Sequence, residues 1–415
     1  MSATDVEVLV VGAGPVGLVA ALGLAAQKVV VTVVEAGPPG TGSEWRGSTL
    51  HPPTLELLDT LGLAEPAMAG GIRVDRVQYR DAQLDAVASF DYALLAHDTR
   101  FPFRLQFEQY KLLRVLRQRA AAHPGVDLRF GTRLAAIESG DDQVTCLLEG
   151  EGTRQCLAPR WLVGADGSHS TVRKAMGIDF EGTSAADPSV VVATPLDLSA
   201  MVAGLASVSY WTGPRGRSSF IRTSDVWRVA LTGDHELMAV AGQDPGDGSV
   251  DRRQRQAIAE RLGAITGEQP WELRQYQTYR NHHRVAGTFR RGRVVLAGDA
   301  AHITSTLGGT GLNSGVHDAF ELAARLGRVL RHGAGEEELD RYAAIRRRVA
   351  VEVAIPMTRQ AGQAAEHRDL DARRSRLAAL CRLAGDGDAA RAFLRRASMI
   401  EATRLHPVSP LGAAS

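Results

Sequence analysis

Gly12-Ala13-Gly14-Pro15-Val16-Gly17 follows the apolar run Val6 to Val11 and opens the Ala- and Leu-rich stretch Val16 to Gln27. A glycine at the first position lets the chain turn tightly. One at the second lets backbone approach a pyrophosphate, and one at the third lets the following helix pack on its strand. Val29 to Val34 is a second β-branched run, and it leads into Glu35-Ala36, where a carboxylate can accept hydrogen bonds from ribose hydroxyls. This order of strand, glycine turn, helix, strand and acid points to a bound dinucleotide. Its candidate contacts are Gly12, Gly14, Pro15, Val16, Gly17, Glu35 and Ala36. Two later turns, Gly164-Ala165-Asp166-Gly167 and Gly298-Asp299-Ala300-Ala301-His302, also place an aspartate at the end of an apolar strand. Either alone reads equally well as an ordinary strand-end turn.

Composition narrows the alternatives. The chain has 415 residues, 44% hydrophobic and 23% charged, as expected of a globular protein of two or three lobes. A formal charge of +1 gives no general pull toward nucleic acid or anionic lipid. Only Lys28, Lys111 and Lys174 are lysines, and the excess of arginine reads as the codon usage of a GC-rich genome. Cys146, Cys156 and Cys381 are too scattered for a disulfide framework or a zinc site, so packing roles in a reducing cytoplasm are expected. No apolar stretch reaches the roughly 18 residues of a membrane span, and the acidic N-terminus does not resemble a signal peptide. No Ser-His-Asp set, metal-ligand cluster or carboxylate pair is evident. His302 reads as a loop-ordering residue rather than a catalytic one, and His282 and His283 as either cavity-lining or exposed linker residues.

The elements needed to position these turns are those of an α/β protein. Pro53 to Leu61 and Glu108 to Ala122 read as helices, Val126 to Phe130 as a parallel strand, Thr132 to Cys156 as hairpins, and Trp161 to Ala165 as a further apolar strand. Between Pro188 and Tyr279 the texture changes to alternating strands such as Ala206 to Trp211 and Trp227 to Leu231, with one helix near Asp251 to Leu262. The first texture then returns, with a strand at Val294 to Leu296 and a helix over Gly315 to Leu330. Glu336 to Ala402 reads as helical and Pro407 to Ser415 as a frayed tail. The expected fold is a Rossmann-type dinucleotide domain (residues 1–75, 101–183 and 284–335) with an inserted antiparallel-sheet lobe (76–100 and 184–283) and a C-terminal helical region (336–415).

Taken in order, the three turns resemble the fingerprints of the FAD-dependent aromatic hydroxylases, the group A single-component flavoprotein monooxygenases of the p-hydroxybenzoate hydroxylase type. The resemblance covers most of the chain. It implies that Arg46 touches the FAD phosphates, that Gln106 contacts the flavin, and that Asp166 serves both the pyrophosphate and NAD(P)H use. It further implies that Asp299 binds the ribityl and phosphate region. Gly309, Gly311, Leu312 and Asn313 would form the loop whose amides face the flavin pyrimidine edge, with the Leu312 and Asn313 amides as a charge-stabilising pair; helix capping is an equally good reading of the Asn313 side chain. Tyr342 and Arg346-Arg347-Arg348 resemble the tyrosine and paired arginines of the C-terminal helix. No second fingerprint marks NAD(P)H, which would bind transiently.

The implied activity is NAD(P)H- and O2-dependent hydroxylation of an aromatic or polyketide-like ring through a C4a-hydroperoxyflavin, in a cytoplasmic monomer or homodimer of secondary metabolism. Epoxidation or Baeyer-Villiger insertion on the same scaffold is an alternative, as is a flavin reductase or dehydrogenase that does not activate oxygen. The sequence departs from the family pattern at Ser305-Thr306, where relatives often carry Pro-Pro, and at Val349, where a proline often follows the arginines. Losing two prolines restores N–H donors on a loop expected to border the flavin. Ser305 and Thr306 are therefore candidate residues at the reaction, with hydroxyls that could tune substrate placement or flavin mobility, and Arg228 joins them as a strand arginine that, if buried and not solvent-exposed, could pair with a phenolate or carboxylate. Tyr210, Trp211, Phe220, Arg222, Trp227 and Tyr279 lie on expected strands, some facing a cavity and others the core.

Overall fold

The computed structural model describes residues 4–40, 47–139, 144–150, 152–234, 237, 248–267, 271–363 and 369–411. Its first sheet runs in the order Arg290–Arg291, Val294–Leu296, Thr153–Gly164, Thr4–Val11, Val31–Val34, Val126–Arg129. The last five of these strands are mutually parallel. Val8 to Val11, Val31 to Val34, Leu162, Val163 and Val294 to Leu296 are all buried. Strands covered on both faces need apolar residues at every position, which explains the unbroken runs in the sequence. The helix Pro15–Ala25 starts with a proline, has no side-chain cap, and is buried at every residue but Val16. A helix that is apolar all round must be enclosed all round.

The strand Thr153–Gly164 is longer than the expected Trp161 to Ala165. Its first half pairs antiparallel with Val144–Gly150, and from Leu157 onward it pairs parallel with the first strand. Turn glycines hold the connections: Gly12 adopts φ +106° and Gly298 φ +62°, values that favour glycine.

The second sheet has eight strands in the order His302–Ile303, Gln275–Ala286, Phe180–Thr194, Trp227–Thr232, Gly216–Arg222, Val208–Gly213, Arg76–Asp81, Leu84–Asp91. All its pairings are antiparallel except that of Val208–Gly213 with Arg76–Asp81. Alternation gives it two distinct faces. Val190, Val192, Phe220, Trp227, Val229 and Leu231 form an apolar core with Ile258 and Leu262. Those two residues belong to a helix, Gly248–Thr266, that is longer than expected. The opposite face carries Ser189, Tyr210, Arg228, Tyr279 and Asn281. A small third sheet, Thr49–Leu50, Arg104–Gln106 and Ile72–Val74, lies apart from both.

Three expectations are corrected. The helix expected from Gly315 begins at Thr310 and runs to Arg331, because Gly308 and Gly309 take left-handed conformations and release the chain into the helix five residues earlier. His282 and His283 are strand residues, bonded to Ser184 Oγ and Thr358 Oγ1, and not linker residues. The tail is docked as far as Leu411: Val408 and Leu411 pack on the core of the first lobe, and the Ser409 amide donates to Glu321 Oε2 at 2.6 Å. The buried Glu321 carboxylate needs donors, and the tail supplies one. Leu411→Asp is expected to destabilise the protein by about 1–2 kcal/mol, by placing a carboxylate against apolar surface. Thermal unfolding checks this, and an unchanged melting temperature would show the tail to be undocked in solution.

Candidate active site

The glycine bend and both aspartate turns meet. A Cβ built on Gly12 would lie 2.4 Å from the Ala165 carbonyl oxygen and 3.0 Å from Asp166 Cα, while one on Gly298 would lie 2.8 Å from Val16 Cγ2. Backbone therefore touches backbone where the first strand ends, and Val16 fills the space beside the second aspartate turn. A buried arginine ties the two aspartate turns together: Arg173 Nη1 donates to the Ala300 carbonyl at 2.9 Å and Nη2 to the Ser168 carbonyl at 3.0 Å, with Cζ 3.8 Å above the Phe180 ring.

Glu35 shapes the glycine turn directly. Its Oε2 accepts from the Ala13 amide and Oε1 from the Gly37 amide, both at 2.9 Å. Beyond it a groove of about 420 Å³ opens, bounded by Ala36, Gly131, Arg133 and Arg154 among others. Asp166 accepts from Ser170 Oγ at 2.6 Å and from the Thr171 and Val172 amides at 2.7 and 3.1 Å. Its carboxylate thus orders its own turn. Asp299 is exposed, between the buried Gly298 and Ala300. Arg46 lies outside the described residues.

The second aspartate turn hangs from a residue the sequence reading missed, Asp318. Its Oδ2 accepts from the Gly298 amide at 3.0 Å and bonds His302 Nε2 at 2.7 Å, and its Oδ1 accepts from Arg346 Nε at 2.5 Å. Burial pushes the carboxyl upward, but Arg346 and His302 outweigh it and hold the group down at about 2. Tyr342 adds a bond from its hydroxyl to the Leu296 carbonyl at 2.8 Å. His302 also stacks on Phe289, with ring centroids 5.9 Å apart, so its place is structural.

At the Gly308-Gly309 turn, the Gly309 amide is taken by the Thr306 carbonyl. In a helix starting at Thr310 the amides of Thr310, Gly311 and Leu312 precede the first intrahelical bond. The expected pair of Leu312 and Asn313 is corrected accordingly: the Asn313 amide sits where that bond is made. The Asn313 side chain is not an N-cap either. It accepts from the His51 amide at 2.8 Å and donates to the Thr49 and Gly309 carbonyls at 2.9 and 2.6 Å. His51, which the reading of motifs did not single out, bonds the Gly308 carbonyl through Nε2 at 2.9 Å. Burial and the nearby Arg104 push His51 down to about 3, so it is neutral. His317, bonded to Thr54 Oγ1 at 3.0 Å, is pushed to about 3 by burial and Arg346.

Gln106 is fully buried. Its Oε1 accepts from Ser48 Oγ at 3.2 Å and Thr49 Oγ1 at 3.1 Å, and its Nε2 has no partner among the described residues. Ser48 Oγ also accepts from Arg228 Nη1 at 3.0 Å. Burial lowers the Arg228 pKa, opposed by Tyr279 and Glu108, and burial raises that of Tyr279. Tyr210, Arg228 and Tyr279 nonetheless keep accessible surface. Ser305 and Thr306 lie beside Asn281 and Tyr279. Asn281 Oδ1 accepts from Ser305 Oγ, the Thr306 amide and Thr306 Oγ1 at 3.2 to 3.3 Å, and Thr306 Oγ1 meets the Tyr279 hydroxyl at 2.7 Å. A proline at 306 could not donate the amide bond, which explains the departure from Pro-Pro in physical terms.

The arrangement suits FAD. A side chain at Gly14 would project into open space at the glycine turn, a helix N-terminus lies at Thr310 to Leu312, and among the described residues Gln106 Nε2 is an orphaned buried donor. Residues 5–355 match the family described as FAD binding domain. The para-nitrophenol 4-monooxygenase of Pseudomonas sp. (strain WBC-3) is 34% identical over 84% of this chain and 84% of its own length. The 6-methylpretetramide 4-monooxygenase of Streptomyces rimosus is 35% identical over 82% of this chain and 59% of its own. Among solved structures, p-nitrophenol 4-monooxygenase from Pseudomonas putida DLL-E4 superposes with a TM-score of 0.86 at 30% identity, covering 95% of this chain and 99% of that one. A ternary complex of aklavinone-11 hydroxylase with FAD and aklavinone gives 0.72 at 32%, covering 88% and 69%. The chain belongs to the FAD-dependent aromatic hydroxylase family. It is an FAD-dependent aromatic hydroxylase, in a family where NAD(P)H is the typical co-substrate.

Asp318→Asn removes the charge opposite Arg346, and uncompensated burial of that guanidinium costs about 3–5 kcal/mol. The variant is expected to purify with less FAD and a lower melting temperature. Wild-type FAD content and melting temperature would show that the second aspartate turn does not depend on Asp318. The buried histidines set an acid limit. Their folded pKa values near 3 lie below the ordinary 6.5, so between those values the unfolded chain binds protons the folded one does not. Stability is therefore expected to fall as pH drops below 6.5, each histidine contributing about 1.4 kcal/mol per pH unit. Denaturant unfolding from pH 7 to 5 should show a slope that flattens in His317→Asn.

Proposed function

We propose that this hydroxylase acts on a small phenolic ring and consumes NAD(P)H and O2. The observation that carries the reading is that Tyr210, Arg228 and Tyr279 share the face of the second sheet opposite the cluster of Val190, Val229 and Ile258 and keep accessible surface. Phenols and a guanidinium suit a compact, polar aromatic ligand, whereas a large fused-ring substrate would ask for a broader apolar surface. The close superposition on p-nitrophenol 4-monooxygenase, across nearly the whole of that chain, supports the same size class.

The first lobe would hold FAD with Gly12, Gly14, Pro15, Val16 and Gly17 at the pyrophosphate, Glu35 and Ala36 at the adenosine end, and Asp299 at the ribityl chain. Asp166 would act through the order of its turn. Bound FAD supplies hydride acceptance and oxygen activation. Gly309 and Gly311 allow close approach to the ring, and the amides of Thr310, Gly311 and Leu312 at the helix N-terminus would stabilise negative charge on its pyrimidine edge. Gln106 Nε2 would donate to the same ring system. Arg228 would orient an electron-rich substrate, and the chain from Tyr279 through Thr306 to Asn281 would hold the Ser305-Thr306 loop closed against water. The location we infer is the cytoplasm, where NAD(P)H is regenerated, and the cysteines Cys146, Cys156 and Cys381 are free.

The test is turnover of purified, FAD-loaded protein with NADH or NADPH and a panel of simple phenols, with product and hydrogen peroxide both measured. Substrate-stimulated NAD(P)H oxidation matched by ring-hydroxylated product is expected. NAD(P)H oxidation that yields peroxide alone with every phenol would favour a reductase, and preference for a tetracyclic substrate would overturn the size class.

A further inference from the structure

Arg104 is a buried cation that the reading above leaves unused. It lies on the strand Arg104–Gln106, two residues before the flavin-facing Gln106, and is 3% exposed. Among the described residues no carboxylate forms an ion pair with it. Its one hydrogen bond runs from Nη1 to the Tyr210 hydroxyl at 2.8 Å, and its Cζ stands 5.9 Å from the centre of the Tyr92 ring. Tyr79 completes the cluster, with its ring centroid 5.3 Å from that of Tyr210.

Among the described residues, two donors in this cluster are buried without partners, Arg104 Nε and the Tyr92 hydroxyl. A buried guanidinium without an anion is costly, and each unmet donor adds to the cost. Aromatic faces alone offset only part of it, since a ring quadrupole attracts a cation but accepts no N–H bond in the guanidinium plane. The geometry of the orphaned atoms is informative. With Nη1 committed to Tyr210, the remaining edge of the guanidinium is Nε with Nη2, whose parallel N–H bonds match a planar pair of oxygens. The cluster also adjoins the reacting region. Arg104 is close enough to His51 to disfavour its protonation, and His51 holds the Gly308 carbonyl in the turn that leads into the flavin-facing amides. Tyr210 keeps accessible surface on the second sheet.

We propose that Arg104 and Tyr92 form a recognition site for a planar two-oxygen substituent on the aromatic substrate, a carboxylate or a nitro group, bound by the Nε and Nη2 edge of Arg104 with a further bond from the Tyr92 hydroxyl. This rests on the hydroxylase reading for the ring that carries the substituent. It adds a specificity determinant separate from Arg228, which lies on another strand and is bonded to Ser48.

Ligand binding to the FAD-loaded enzyme, followed by perturbation of the flavin absorbance without turnover, tests it. The carboxylate arm compares 4-hydroxybenzoate with 4-hydroxybenzamide, and the nitro arm compares 4-nitrophenol with 4-hydroxyacetophenone. The wild type is expected to bind at least one two-oxygen ligand about 10- to 100-fold more tightly than its partner. Arg104→Met should abolish that preference, Arg104→Lys should keep part of it for the carboxylate by charge alone, and Tyr92→Phe should weaken the preferred ligand about 3- to 10-fold. FAD content and melting temperature report whether each variant is folded. If Arg104→Met is unstable, the Lys and Phe variants carry the test. Equal losses for both members of a pair, or no preference in the wild type, would overturn the proposal. So would an Arg104 variant that keeps the preference once FAD is restored, because Arg104 would then serve the flavin turn. A preference without turnover of any phenol would leave this site standing and remove the activity proposed above.

Discussion

One buried carboxylate carries the cofactor side of this protein. Asp318 takes the Gly298 amide, His302 and Arg346 at once, joining the second aspartate turn to a helix that no local interaction would bring to it. Its two oxygens are shared between a backbone turn, a loop and the C-terminal helical region, so the position of each is set by the others. A carboxylate paired this closely in a low-dielectric interior stays ionised, and its removal leaves a buried guanidinium with no counter-charge. The Asp299 turn is therefore only as well placed as this ion pair. Arg173 extends the same logic by joining the Asp299 turn to the Asp166 turn through two carbonyls.

The two sides of the site are built on different physical principles. On the side proposed for the nucleotide, the protein presents backbone: glycines, amides at the start of a helix, and turns braced from behind by Glu35, Asp166 and Asp318. Backbone donors are fixed by the fold and need no particular side chain in front of them. Toward the second sheet, the protein presents side chains. Arg228 alternates with the core residues Trp227 and Val229 on its strand, so that position can vary without disturbing the apolar layer behind. Such a division keeps the flavin chemistry constant while the substrate changes.

This division also explains what the sequence could and could not reveal. Gly12 to Gly17, Glu35 and the two aspartate turns are legible because their function depends on spacing within a few residues, and the parallel strands are legible because burial on both faces leaves unbroken apolar runs. The braces are not legible in that way. Asp318 looks like one more acid on an amphipathic helix, and His51 like the residue before a Pro-Pro helix start. Arg173 follows a turn in a short helix, and nothing near it in sequence announces Ser168 or Ala300 as its partners. The helix start at Thr310 was hidden because Gly308, Gly309 and Gly311 read as loop, when two of the three are what release the chain into the helix. The docked tail was hidden because its anchor, Glu321, lies far from it in sequence.

The hydroxyl of Ser48 shows how the two sides are joined. It donates to Gln106 Oε1, whose amide nitrogen is buried and unpartnered among the described residues, and it accepts from Arg228 on the second sheet. A movement of Arg228 on meeting a substrate would therefore be felt at Gln106 through a single intervening atom. The Ser305-Thr306 loop makes a parallel connection through Asn281, whose one carbonyl oxygen takes three donors from the loop while its amide reaches Ser189 in the centre of the sheet. Each link is short and neutral or singly charged, so neither stores much energy, but both are geometrically strict. Contact between the substrate lobe and the flavin lobe thus runs through a few hydrogen bonds that a correctly seated ring can satisfy and a misplaced one would strain.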